Sequence, residues 1–271
     1  MDNDFVPIAA TVERIIDETP TIKTFVLRPR QPMAFRAGQF VQLGIAGVGE
    51  APFTPSSTPF VSDRLEVTVL RTGFVTNALH ELRPGDEVGL RGPFGKGYPT
   101  SRFVGKEVLV IGGGVGLAPL RALLYHLFHE IGTLRRVAIK YGARTPAELC
   151  FRTEYDDWSH IDGVDFTVTI DQPAEGWGGH VGLVTTLLDE LDVDLDNTYA
   201  VSCGPEVMLK FVTMKLLDIG FPPERIYLSM NRNMSCGMGI CGRCNLGPYY
   251  LCKDGPDMCY ADIKDIPYAL G

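Results

Sequence analysis

Four cysteines, Cys236, Cys241, Cys244 and Cys252, crowd into one glycine-rich stretch near the end of the chain, NMSCGMGICGRCNLGPYYLC. From about Asn231 onward the segment is too short and loop-rich to bury a core of its own, so it needs a staple. Disulfides, a zinc ion, an iron–sulfur cluster and chance are the options. The N-terminal MDNDFVPIAATVERIIDE is acidic, without the apolar run of a signal peptide, and no segment reaches the roughly 18 apolar residues of a membrane span. These features predict a cytoplasmic chain, where a disulfide framework is disfavoured and thiols bind metal more readily.

The spacing C-x4-C-x2-C-x7-C narrows the choice. Zinc ribbons supply two separated C-x2-C knuckles, and only one is present. Four-iron runs use C-x2-C-x2-C with a following proline, which is absent. The opening C-x4-C-x2-C matches plant-type 2Fe–2S spacing, and structural zinc stays as the alternative. Gly237, Gly239 and Gly242 between the thiols permit positive φ, so that backbone N–H groups can turn toward the sulfurs. Cys150 and Cys259 lie outside the set, and the five histidines form no metal-binding spacing.

The remainder divides in two. From Phe5 to about Pro99, the runs ATVERIIDE, IKTFVLRP, GQFVQLGI, LEVTVLR and GDEVGLRGPFG alternate apolar and polar residues between Pro and Gly turns, with TNALHEL as one helical piece. Five or six short strands at that spacing predict an antiparallel barrel over residues 1–101. Over 102–230 strands alternate with helices: EVLVIGG, RRVAIKYGAR, VDFTVTID, TYAVSCGP and RIYLSM against LRALLYHLFHEIG, AELCFRTEYDDW, LVTTLLDEL and EVMLKFVTMKLLDIG. That order predicts an α/β doubly wound domain with a parallel sheet. Residues 231–271 form the thiol segment. With 45% hydrophobic residues a sizeable core can be buried, and a formal charge of −8 without a basic patch disfavours nucleic acid.

Within the α/β region, VLVIGGGVGLAP places Gly112, Gly113, Gly114, Val115 and Gly116 between a buried strand and a helix beginning near Leu117, Ala118 and Pro119. Such a turn lets backbone amides close on a phosphate at a helix N-terminus. Leu117 stands where the third glycine of G-x-G-x-x-G would be, and a ligand-free βα turn is the plain alternative. A second punctuated turn, Cys203, Gly204 and Pro205, ends a later strand, at the sheet edge where ligands of α/β folds gather. A nicotinamide nucleotide there would deliver two electrons together, whereas a 2Fe–2S cluster takes one at a time. A chain with both sites needs a converter, and a flavin is the usual one.

The motifs PFTPSS, VLRTGFVTNAL, RPGDEVGLRGPFG, GGGVGLAPLR, YGARTPAEL and CGPEVM occur in the order of the ferredoxin–NADP reductase superfamily, which the chain resembles. The segment CGMGICGRCNLGPYYLCKDGP is similar to flavin/iron–sulfur electron-transfer subunits of soluble NiFe hydrogenases, of the sulfhydrogenase gamma type. It is similar also to those of dihydroorotate dehydrogenase and of anaerobic sulfite reductase. The resemblance implies a flavin-binding barrel, an NAD(P)-binding α/β domain and a C-terminal iron–sulfur segment with Cys236, Cys241, Cys244 and Cys252 as ligands. Pro52, Phe53 and Thr54 match the flavin cradle, Val69, Leu70 and Arg71 a second flavin contact, and Gly73, Val75 and Thr76 the phosphate-side turn. Gly112 to Pro119 would hold the NAD(P) pyrophosphate, Arg144 the adenosine end, and Cys203, Gly204 and Pro205 the nicotinamide. The family's flavin motif often opens with Arg and carries Tyr, where this chain has Ala51 and Phe53; Arg71 is the candidate substitute for that Arg. The implied activity is electron transfer between NAD(P)H, FAD and a 2Fe–2S cluster, serving a partner redox subunit with hydrogenase as first choice. Rival readings are the same role for dihydroorotate dehydrogenase or sulfite reductase, a self-contained oxygenase reductase, and a zinc-stapled assembly module without catalysis.

Overall fold

Turn residues cut the first hundred positions into strands too short to cover a core singly, and they pair instead. In the computed structural model, which describes residues 5–270, the long β1 (Ile8–Thr19) hairpins onto β2 (Ile22–Pro29). β3 (Phe40–Ile45), β4 (Gly49–Phe53), β5 (Leu65–Leu70) and β6 (Glu87–Phe94) complete an antiparallel sheet of order β4-β3-β6-β1-β2-β5. An isolated bridge between Pro55 and Val67 ties the chain after β4 back to β5 and curls the sheet toward closure. Val12, Phe25, Leu27, Leu43, Val67 and Leu90 fill its interior. The sequence patterning misses β4, because GEAPF carries Gly and Pro. The strand forms at a sheet edge, where Pro52 has no ladder N–H to lose. The helical piece is α1 (Phe74–His80).

The second half is layered as expected. β7 (Glu107–Gly113), α2 (Leu117–His129), β8 (Arg136–Ala143), α3 (Tyr155–Ser159), β9 (Val164–Ile170), the two-residue β10 (His180–Val181), β11 (Thr198–Cys203), α4 (Glu206–Ile219) and β12 (Ile226–Ser229) follow in order. The six strands are parallel, in the order β10-β9-β8-β7-β11-β12. Pro119 falls in the first turn of α2, and α4 stops at Gly220, whose φ of 106° is the left-handed cap.

Of two expected helices, one is cut short to α3 and the other is absent. AELCFRTEYDDW gives only 3₁₀ turns at Pro146–Glu148 and Arg152–Glu154 before α3, because Phe151 turns left-handed at φ 58°. There the Phe151 N–H donates to Glu18 and the Cys150 N–H to the Tyr141 hydroxyl, so tertiary partners replace the helical ladder. LVTTLLDEL is likewise a 3₁₀ stretch, Val184–Leu188, in which the Thr186 hydroxyl folds back on the Leu183 carbonyl.

The tail shares cores with both halves. After β13 (Asn245–Leu246), β14 (Tyr249–Tyr250) and α5 (Leu251–Asp254), β15 (Asp257–Cys259) pairs antiparallel with β12 as a seventh strand, and α6 (Tyr260–Ile263) follows. Cys244, Leu246, Leu251, Cys252 and Met258 pack in one cluster with Leu228, Met230 and the barrel's Phe40 and Phe94. The two halves are further locked by Arg121 of α2. Its guanidinium bonds Glu66 of β5, the Ser56 carbonyl and Glu154, between the rings of Tyr125 and Phe151. No helix among the described residues is long and apolar enough to cross a membrane.

Candidate functional site

The seam between barrel and α/β sheet opens into a cleft of about 1310 Å³ at the carboxyl ends of the parallel strands. Three turns of distant sequence origin meet there. Pro52, Phe53 and Thr54 come from the end of β4, Gly113 to Gly116 with Ala118 and Pro119 from the β7–α2 turn, and Cys203, Gly204 and Pro205 from the end of β11. The last two abut because β7 and β11 are hydrogen-bonded neighbours, with Cys203 opposite Gly112. Gly116 lies so close to Cys203 that any Cβ would collide with the Cys203 carbonyl. The Tyr141 hydroxyl donates to the Gly114 carbonyl at 3.0 Å and pins the turn from below.

Leu70, Thr76 and Arg144 also line the cleft. Six of the residues singled out in the sequence do not. Gly112 and Leu117 are buried beneath the glycine turn. Val69 is buried in β5, its carbonyl accepting from His80 Nε2 at 2.9 Å. Gly73 caps α1, Val75 packs beside Gly49, and Arg71 turns its guanidinium to Asn77 and to Glu81 at 3.0 Å. The Arg71 charge is thus spent on α1.

Several lining residues escaped the sequence reading. Asp171, one residue past β9, faces Arg144; burial raises its pKa and Arg144 lowers it, the rise prevailing. A carboxylate at that strand end follows the rule that ligands collect at the carboxyl edge, so its position was a usable signal. Phe40, Met230, Met234, Ser229 and Pro256 form the wall toward the tail. Nothing in their spacing marks them, since they converge only through barrel and tail packing.

Beyond that wall lies the thiol loop. Arg91 of β6 donates to the carbonyls of Ser235 and Cys236 at 3.1 and 3.2 Å, and Gln42 of β3 donates to the Met234 carbonyl at 2.6 Å. The Phe94 ring lies under Gly237, where a Cβ would come within 2.6 Å of it, and Phe94 pairs with Phe40 at 5.6 Å between ring centroids. Gly237, Gly239 and Gly242 adopt φ of 81°, 73° and 75°. Their turns aim N–H groups at sulfur: Met238, Ile240 and Cys241 at Cys236 Sγ, and Gly239 at Cys252 Sγ at 3.0 Å. Partial burial works against the Cys236 thiolate, but the three N–H donors outweigh it and bring the thiol down to about 6. Burial and the Cys244 thiol push Cys252 up to about 12. The Cys244 and Cys252 thiols lie 3.2 Å apart, and Cys241 meets Cys236 Sγ through both its N–H and its side chain. Among the described residues, no group of three or more His, Cys, Asp and Glu side chains gathers as a single-ion site.

Residues 10–98 match the oxidoreductase FAD-binding domain, and residues 110–214 the oxidoreductase NAD-binding domain. The sulfhydrogenase 1 subunit gamma of Pyrococcus furiosus is 34% identical over 99% of this chain and 96% of that protein. The chain belongs to the ferredoxin–NADP reductase family. A probable dihydroorotate dehydrogenase B (NAD(+)) electron transfer subunit from Thermococcus kodakarensis is 35% identical over 91% of this chain and 93% of that protein. Among solved structures, an NADH-dependent reduced ferredoxin-NADP oxidoreductase covers 95% of this chain and 92% of its own, with a TM-score of 0.74 and 25% identity. This ferredoxin–NADP reductase family member is therefore a flavin-dependent NAD(P)H oxidoreductase, and its cleft lies where the FAD-binding and NAD-binding halves meet. Cys203 sits in that family framework as a neutral thiol: burial pushes it up to about 12, so it offers a small, polarisable contact and not a nucleophile.

Proposed function

We propose that the chain is the electron-transfer subunit of a cytoplasmic redox complex, passing electrons between NAD(P)H, FAD and a 2Fe–2S cluster to a partner subunit, with a NiFe hydrogenase as first choice. The observation that carries this reading is continuity. One cleft is lined by the barrel's Pro52–Thr54 and by both nucleotide-type turns, and its Phe40–Met234 wall abuts the thiol loop.

FAD, when bound, supplies the conversion from hydride to single electrons. The residues do the rest. Pro52, Phe53, Thr54 and Leu70 would hold the flavin. Gly113, Gly114, Val115 and Gly116 would offer backbone N–H groups, and the start of α2 its partial positive charge, to the pyrophosphate. Cys203, Gly204 and Pro205 would hold the nicotinamide on the side of the cleft that faces the barrel, so catalysis here would be positioning and needs no protein base for the hydride itself. Arg144 would meet the adenosine end and Asp171 the ribose hydroxyls, which favours NADH over its phosphorylated form. Cys236 and Cys241 would take one iron, and Cys244 and Cys252 the other. The inward N–H groups offset the negative charge a four-thiolate cluster carries.

The test is the visible spectrum and iron content of protein prepared without oxygen. Flavin and iron–sulfur bands that bleach with NADH are the expected result; a colourless protein with zinc would sink the reading. The similarity to dihydroorotate dehydrogenase electron-transfer subunits supports a second partner. Peptides copurifying with the native chain decide between a hydrogenase-like and a dihydroorotate dehydrogenase-like subunit.

A further inference from the structure

The tail brings more than thiols to the cleft. Asp257, the first residue of β15, is buried, and neither of its carboxylate oxygens has a hydrogen-bond partner. The hydroxyls of Tyr98 and Ser229 face it without completing hydrogen-bond geometry, and the Tyr98 hydroxyl is itself buried and unpartnered. Gly38 leaves room for it, since a Cβ there would collide with Asp257 Oδ2. Strand pairing places Asp257 directly opposite Ser229, the last residue of β12. Ser229 lines the cleft beside Cys203, and its hydroxyl faces both the Cys203 thiol and the Asp257 carboxylate. Burial without completed hydrogen bonds disfavours the charged carboxylate, and the two hydroxyls that face it do not fully offset that burial.

We propose that Asp257 is the proton acceptor of the cleft, reached through the Ser229 hydroxyl, so that the tail handles both the electrons and the proton that leave. This role rests on the flavin reading given above. Each hydride delivered to the cleft brings two electrons and one proton nucleus. A one-electron acceptor takes only electrons, so for every pair that departs one proton must also go. The Asp257 carboxylate accepts it as Ser229 passes its own hydroxyl proton on and takes the incoming one. The neutral acid returns it to solvent when the nicotinamide leaves and water re-enters. Burial lifts the Asp257 carboxyl to about 7, which lets it both accept and release near neutrality. The ionisable groups facing it are the Tyr98 phenol and the Cys203 thiol. Burial raises both, so neither competes for the proton.

The test uses full-length protein loaded with FAD and iron. The midpoint potential of the bound flavin is followed by spectroelectrochemistry across pH values on both sides of neutrality. Wild type is expected to show an ionisation near pH 7 in addition to that of the reduced flavin itself, and Asp257→Asn to lose that one alone while keeping its flavin and iron content. Ser229→Ala, which tests the route should Asp257→Asn fail to fold, is expected to slow proton release about 10²-fold when ferricyanide oxidises the reduced protein in a pH-indicator stopped-flow assay. It should leave the Asp257 titration visible by carbon-13 NMR. A flavin-loaded Asp257→Asn protein with the wild-type pH profile, or Ser229→Ala with undiminished proton release, overturns this role alone. Protein that binds no flavin overturns the reading of the cleft along with it.

Discussion

The two glycine-rich loops of this chain are held by opposite means. The β7–α2 turn is set between a buried strand and a buried helix, with Gly116 pressed on the Cys203 carbonyl and Tyr141 bonded from below. Its shape is held by backbone packing within the fold. The thiol loop has almost no regular structure between β12 and β13. It is held from outside by Arg91, Gln42 and Phe94, and from within by N–H groups aimed at sulfur. The first loop is set by packing against its own strand and helix; the second is set by side chains of the barrel and by its own N–H···S contacts.

If that contrast holds, the largest effect comes from the second loop. Cys244→Ser or Cys252→Ser should abolish cluster incorporation, read as loss of iron and of the iron–sulfur absorption, while NADH still reduces the flavin. Retained iron in both variants would contradict the assigned ligand set. Next comes the buried acid beside the tail. Its folded value of about 7 lies above the ordinary 3.8, so its contribution to stability is greatest below pH 4 and is lost as pH rises toward 7. The loss reaches up to about 4 kcal/mol. Urea unfolding against pH should show this decline in wild type and a flatter curve for Asp257→Asn.

The first loop is broken by crowding. Gly116→Val should displace the turn from Cys203 and lower hydride transfer about 10²-fold, with iron and flavin retained; stopped-flow flavin bleaching reads it. Arg91→Met tests the outer clamp. Losing two charged hydrogen bonds to the loop should lower stability by about 1–3 kcal/mol and loosen iron retention, but leave nucleotide binding unchanged. The smallest effect is a preference. Asp171→Ser should narrow the selection of NADH over NADPH by roughly tenfold, about the strength of one charged contact, measured as the ratio of the two kcat/KM values.

Much of this was legible in the chain. Period-two runs gave five of the six barrel strands, and the glycine turn with Pro119 gave the start of α2. One expected helix is cut short because the Phe151 N–H bonds the distant Glu18, and the other tightens to a 3₁₀ stretch in which the Thr186 hydroxyl bonds the Leu183 carbonyl. Arg71 does not line the cleft because its guanidinium is engaged by Asn77 and by Glu81, the C-cap of α1. Asp171 was within reach of the strand-end rule, whereas Met234 and Ser229 carry no local mark.

The sequence by itself determined the local chemistry: which thiols can share a metal, where a backbone can close on phosphate, and where strands and helices begin. Those properties depend on spacing, chirality and side-chain type within a few residues. Only the tertiary structure decided that Gln42 meets Met234, 192 positions away, and that Arg91 meets Cys236, 145 away. It likewise decided that β15 carries Asp257 to Ser229. Those meetings follow from long-range packing of the tail against both halves, which no local pattern encodes.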